Sequence, residues 1–292
     1  MRFREDEMPL SYETFFALYI ASMIVGIFIG LLVFVGWKDL FWRKALESAR
    51  YNALYVALVI GMPLLMLIEH IFRDPGESTR EVIYTNWIFS ISGNAIRILQ
   101  DRLDYQLVVD FFILVYVWVF TYIVYFTPLL LLAKDDRATL RRYAIALMFN
   151  YVVLLPFYIF FPVSVTGFYA DSGVTPLLYI NTNWGRMVTS VDPLNNDFPS
   201  AHVSLMVTSL LVLIAAGTEY RRFNYVLAAA TVGITFSVLY LGVHWIADVF
   251  GGFLLAVGAV LFSGSERIQM AFDRAVRKAT KRLLEDKDGD GV

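Results

Sequence analysis

The chain contains no cysteine and only three histidines, and no more than 17% of its 292 residues are charged. Without cysteine there are no disulfides, no thiolate nucleophile and no zinc ribbon, and the redox compartment stays open. The formal net charge is −2, and no dense basic tract interleaved with aromatics occurs outside the C-terminal tail, which speaks against a nucleic-acid partner. Glu5, Asp6 and Glu7 precede the first long apolar run where a signal peptide would have a basic start, so the first span is expected to be retained.

What the chain has in abundance is apolar surface. Apolar residues make up 58% of the sequence, and several stretches of about 20 such residues match a hydrocarbon layer ~30 Å thick. The predicted fold is all-α: a polytopic membrane helix bundle of about seven spans, over residues 14–36, 51–68, 107–133, 143–162, 203–217, 223–243 and 249–262. Residues 82–99 are apolar but interrupted by Asn86, Gly93, Asn94 and Arg97. They are expected to lie at the interface or re-enter it, with an eighth span as the alternative.

Connections 37–50, 134–142 and 220–222, together with the tail after Ser263, carry 17 of the 24 Lys and Arg residues. The positive-inside rule then predicts a multi-pass cell-membrane protein with its N-terminus outside and its C-terminus cytoplasmic. In the tail, Arg267, Arg274, Arg277, Lys278, Lys281 and Arg282 alternate with Ile268, Phe272, Val276 and Leu283. That pattern reads as an amphipathic helix suited to anionic lipid. Three parts are expected: N-terminal spans with an outer interfacial segment (1–106), a catalytic membrane core (107–263) and the basic tail (264–292).

Two of the three histidines stand at the entrances of apolar runs, in Pro199-Ser200-Ala201-His202 and in Tyr240-Leu241-Gly242-Val243-His244-Trp245-Ile246-Ala247-Asp248. Ser200 is a good helix N-cap, which places His202 in a first turn whose free N–H groups favour an anion such as phosphate. His244 and Asp248 are four residues apart and share a face if helical. The carboxylate can then fix the imidazole tautomer and leave the other nitrogen free to attack phosphorus. One histidine as nucleophile and one as acid is a complete minimum set. The same three side chains are competent metal ligands, so the residues alone leave a metal site open.

These segments resemble the second and third motifs of the type 2 phosphatidic acid phosphatase superfamily. Those motifs are Pro-Ser-Gly-His, then Ser-Arg, five residues, His, three residues and Asp; residues 237–248 keep the second spacing. The resemblance covers roughly residues 143–263. It implies a compact helical membrane core, no required metal or other cofactor, and a phosphohistidine intermediate formed on a lipid phosphate or phospholipid in the bilayer. It assigns the nucleophile to His244, its orienting carboxylate to Asp248, the acid/base to His202 and a phosphate contact to Ser200. Ser237 and Tyr240, inside the third motif, are further candidate substrate contacts.

Two departures stand out. Val238 replaces the motif arginine, and the family's first motif (lysine, six residues, Arg-Pro) is replaced at the end of the fourth span by Phe160-Phe161-Pro162-Val163. Losing one preorganised donor costs about 3 kcal/mol of transition-state stabilisation. Arg186, in the polar stretch Asn183-Trp184-Gly185-Arg186 of the outer loop, is the candidate replacement because a guanidinium grips phosphate bidentately. Arg73, Arg80, Arg97 and Arg102 are further candidates, and His70 reads as an interfacial anchor.

A divergent first motif is similar to the branch containing inositol phosphorylceramide synthases, where an alcohol resolves the phosphohistidine. The expected activity is therefore lipid phosphate or pyrophosphate hydrolysis at the extracytoplasmic face. Transfer of a phospho-head group to a lipid alcohol is the alternative, and a non-enzymatic transporter or scaffold is a third reading. The sequence leaves the oligomeric state open.

A single Cys placed at Thr182 should react with a membrane-impermeant thiol reagent in intact cells, and one at Thr218 only after permeabilisation. The reverse pattern refutes the orientation.

Overall fold

The computed structural model describes residues 10–37, 42–64, 77–103, 105–180 and 182–289. His70 and Arg73 lie outside the described residues. The first half contains α1 (Tyr12–Phe34), α2 (Trp42–Tyr51), α3 (Ala53–Leu64), α4 (Glu77–Ser92), α5 (Ala95–Arg102), α6 (Gln106–Leu114), α7 (Phe120–Ala133) and α8 (Arg137–Phe160). Two short helices follow in the long loop, α9 (Leu177–Ile180) and α10 (Thr182–Thr189). The order ends with α11 (Ala201–Ala216), α12 (Arg221–Tyr240), α13 (Ile246–Gly264) and α14 (Glu266–Gly289).

The chain is all-helical among the described residues, as its apolar runs predict. Among the described residues, five helical stretches are long and apolar enough to cross a membrane: 12–34, 106–133, 137–160, 218–240 and 246–264; Ala53–Leu64 and Ala201–Ala216 are shorter apolar helices. It is a multi-pass membrane bundle. The interrupted segment near residue 90 forms two helices, α4 and α5, broken where Gly93 adopts φ +60°, a conformation open to glycine at no steric cost.

Polar ends set the helix boundaries. Ser11 caps α1 by accepting from Thr14 N–H, Asp136 caps α8 by accepting from Thr139 N–H, and Ser200 caps α11 by accepting from Val203 N–H. Each cap satisfies a donor that a helix start leaves unpaired, worth typically about 1 kcal/mol. The core is apolar and aromatic, drawn from α6, α7, α8, α11, α12 and α13, with Phe126, Tyr143, Leu154, Met206 and Ile234 buried. Large side chains such as Ile24, Val33, Val232 and Leu261 stay exposed, as lipid-facing positions of a bundle would.

The basic C-terminal helix does not hang free. In α14, Ile268, Phe272 and Val276 pack on a cluster formed by Tyr55, Ala144 and Ile145. Asp273 accepts from Tyr55 Oη at 2.7 Å and pairs with Arg141 at 2.9 Å. Part of its apolar face is therefore covered by protein.

At the other end of the bundle, α11 packs on α8, α12 and α13, and glycine lets two helix starts meet. A Cβ on Gly252 would sit 2.5 Å from Ser200 O, and one on Gly251 2.9 Å from Phe198 and Pro199 atoms. Gly252→Ala is expected to lower the melting temperature in detergent by an amount equivalent to about 1–3 kcal/mol of overpacking. Gly61→Ala is the control, because nothing lies within 4 Å of its added Cβ. Equal melting of the two variants refutes this account of the α11–α13 approach.

Candidate active site

The turn that carries His244 is made by hydrogen bonds from outside its own helix. Helix α12 ends with Val243 N–H and His244 N–H both donating to Val238 O, at 3.1 and 2.9 Å. Gly242 has φ +73°, and a Cβ there would lie 2.7 Å from Thr175 O. The loop between α8 and α11 grips this turn along its length: Gly167 N–H donates to Gly242 O at 2.8 Å and Thr166 N–H to Val243 O at 3.3 Å. Gln100 of α5 clamps both sides by donating to Thr175 O and Tyr240 O while accepting from Thr175 N–H. Trp245 is fully buried and donates from Nε1 to Ser164 O at 2.9 Å.

His244 therefore precedes the helix instead of lying on it. Trp245 is the N-cap of α13, and Asp248, in its third position, accepts from Trp245 N–H at 2.7 Å. The i,i+4 approach still forms, with Asp248 Oδ2 3.4 Å from His244 Nδ1. A nearer carboxylate faces the same nitrogen: Asp197 Oδ1 lies at 3.0 Å. On the far side of the ring, His244 Nε2 is 3.4 Å from His202 Nδ1. Imidazole, two carboxylates and a second imidazole thus form a line across the start of α11 and α13.

Asp197 is the site residue that no spacing rule in the sequence ties to His244. An isolated parallel bridge between Val163 and Asn196 delivers it: Val163 N–H donates to Asn195 O at 2.9 Å, and Asp197 N–H to Val163 O at 3.3 Å. This bridge begins at Val163, directly after the Phe160-Phe161-Pro162 that stands in place of the basic motif. Asp192, the other carboxylate nearby, lines an open cleft of about 420 Å³ with Glu81 and residues 189–191 and 193–195. Asn196, with its amide nitrogen turned toward Asp192, reaches Oδ1 at 3.2 Å.

Burial opposes the charge on His244, but the attraction of Asp197 and then Asp248 prevails and lifts its pKa to about 10. Burial pushes Asp197 well above the usual carboxylate range, and His244 pulls the other way. Two carboxylates share one imidazole, one acid more than that base can neutralise. Among the described residues, neither histidine nor any of these three aspartates pairs with Lys or Arg. Asp197 Oδ2, Asp248 Oδ1 and His244 Nδ1 are buried without hydrogen bonds, so the two carboxylates meet Nδ1 as close ion-pair approaches. Asp197, His244 and Asp248 also bring three ligand-type atoms within 4.8 Å of one another, a donor set that suits a divalent cation as well as a proton.

The other residues singled out in the sequence have different surroundings. Ser200 is buried and its oxygen accepts from Val203 N–H at 3.3 Å. Ser237 donates to Ile234 O at 2.9 Å and Tyr240 to Leu103 O at 2.6 Å, so both hydroxyl protons are directed at backbone carbonyls. Arg186 is exposed, its guanidinium 4.2 Å from the ring centre of Tyr12. Arg97 and Arg102 are exposed, and Arg80 is half-buried on α4.

Fold and site define an all-α multi-pass membrane protein with a paired-histidine, carboxylate-backed centre at two helix starts. A model of the PAP2 superfamily matches residues 178–265, from α9 to the end of α13, and no curated protein and no solved structure matches the chain. The matched segment includes both site histidines and all three aspartates, and through it the chain is similar to the type 2 phosphatidic acid phosphatase superfamily. Helix α8, within the resemblance seen in the sequence, lies outside the matched range.

The raised pKa of His244 means that the folded cluster retains a proton that the unfolded chain would release. Its contribution to stability is complete below about pH 6.5, the ordinary value for histidine, and is lost as pH rises toward 10. The melting temperature should fall across this window, and Asp197→Asn should flatten the dependence. An unchanged pH profile in Asp197→Asn refutes the coupling.

Proposed function

We propose that the chain is a membrane-embedded lipid phosphate or pyrophosphate phosphatase that works through a phosphohistidine on His244. The superfamily match supports phosphatase- or phosphotransferase-type chemistry on lipid phosphates generally. The observation that carries the finer reading is the polarity of His244, with Nδ1 toward Asp197 and Asp248 and Nε2 toward His202.

The carboxylates hold the Nδ1 proton and make Nε2 the basic, nucleophilic end of the ring. A proton on Nε2 passes to His202 across the 3.4 Å gap, which arms both residues in one transfer. His244 Nε2 then attacks phosphorus, the bond from phosphorus to the leaving oxygen breaks, and His202 protonates that oxygen. In the second half His202 takes a proton from the acceptor, the new P–O bond forms, and the P–N bond breaks to restore His244. Ser200, at the start of α11, is the proposed phosphate contact. In this reading the centre faces the extracytoplasmic side, because the basic tail and the Lys134–Arg142 connection belong to the other end of the bundle.

A second reading, transfer to a lipid alcohol, draws support from the walls of the site. His202 lies between the rings of Tyr116 and Phe120, with centroids 4.6 and 4.5 Å away, and such walls disfavour water as the acceptor.

Brief incubation with a labelled lipid phosphate should leave an acid-labile, base-stable phosphoryl group on the protein, absent in His244→Ala. Full activity in His244→Ala would sink the mechanism. Chelators should leave turnover unchanged; loss that a divalent cation restores gives the Asp197–His244–Asp248 position to a metal. Added alcohol acceptors separate hydrolysis from transfer. In the same assay, a roughly 10²-fold fall in kcat/KM for Arg186→Ala assigns it to the phosphate, and no fall leaves it to Tyr12.

A further inference from the structure

Helix α6 does not run evenly into α7. Residues Val115–Val119 between them form a π turn, in which Phe120 N–H reaches back five residues to Val115 O. Such turns are rare, insert one residue into a helix and occur frequently at functional sites, because they redirect side chains. The disturbed backbone is answered locally: Val117 O accepts from Thr121 Oγ1 at 2.7 Å and from Tyr19 Oη at 3.4 Å. The wider turn points Tyr116 and Phe120 at one target, and both rings pack on His202.

Phe120 is a wall, but Tyr116 carries a hydroxyl that its packing does not use. Tyr116 is 2% exposed, and its hydroxyl has no hydrogen-bond partner among the described residues. Buried phenols normally find a partner, and leaving one unmade costs about 1–3 kcal/mol. Phenylalanine would give His202 the same ring without that cost. The site also lacks two cationic positions of the family pattern, at Val238 and at the end of α8, so a donor for phosphate is wanting where a donor stands unused.

We propose that Tyr116 is a further catalytic residue whose phenol donates a hydrogen bond to a phosphoryl oxygen held between His202 and His244. The assignment rests on the phosphoryl-transfer reading of the site. It names a residue outside the segment matched by the family model, on an element that none of the motifs includes.

The test is Tyr116→Phe in the full-length chain in detergent, with vanadate binding, steady-state turnover of phosphatidic acid and melting temperature measured together. The expected result is a fall in kcat of about 10²-fold, with vanadate affinity weakened in parallel, KM changed little and the melting temperature equal or higher. Unchanged kcat and vanadate affinity would overturn the proposal and leave Tyr116 as packing for His202. A fall in activity together with a lower melting temperature would overturn it too, because it makes the hydroxyl structural. If the unmutated chain neither binds vanadate nor turns over phosphatidic acid, the phosphoryl-transfer reading itself fails, which separates that failure from one confined to Tyr116.

Discussion

Everything around the site depends on keeping one imidazole, His244, buried between carboxylates on one edge and a second imidazole on the other. His244, Asp197 and Asp248 are 3%, 2% and 0% exposed. Bringing such charges out of water is costly, and their mutual attraction offsets that cost only at short range and good geometry. Removing one partner from a buried pair costs about 3–5 kcal/mol because a charge is left uncompensated. The surrounding backbone must therefore hold three chain segments, around residues 197, 244 and 248, to within a few tenths of an ångström.

The means are mostly backbone hydrogen bonds between segments far apart in the chain. Residues 163–167 form a strap with two contacts: one side bridges Asn195–Asp197, and the other reads the Gly242–Val243 carbonyls. Ser200 N–H donates to Asp248 O at 3.0 Å and joins the two motif-bearing helix starts directly. Helix α4 reaches the same strap through Thr85, which accepts from Ser164 N–H at 2.9 Å, and through a hydrogen bond between Glu81 and Ser164. The N-terminal half thus supports the centre from outside the matched superfamily segment. A bundle of this kind buys orientation with loop hydrogen bonds where helix packing alone would leave the histidines free to turn.

The electrostatic setting is unusual for the proposed reaction. Phosphoryl transfer spreads negative charge over oxygens that cations usually meet, yet the groups gathered here are acidic, aromatic or neutral donors. Stabilisation must then come from dipoles: the amide groups at the start of α11 and hydroxyls. Such donors gain strength in a site that excludes water, where the effective dielectric is low, and the rings of Tyr116 and Phe120 provide that exclusion around His202.

The sequence by itself determined the helical membrane architecture, because runs of about 20 apolar residues have few other ways to satisfy their backbone in lipid. It also determined the two histidine segments and the cap at Ser200, since N-cap chemistry is local. Only the tertiary structure decided that Asp197 is the nearest carboxylate to His244, because a parallel bridge 33 residues along the chain from Val163 sets that contact, and spacing carries no trace of it. It alone moved His244 off the helix into the turn before α13, where loop N–H groups outside the motif donate to the turn's carbonyls and fix the backbone. Arg186 was attractive in sequence as an isolated cation, but where a long loop folds is set by side-chain contacts such as its stacking on Tyr12. Tyr116 was invisible among the apolar residues of its span, because a π turn arises from packing and follows no pattern in the residues that form it.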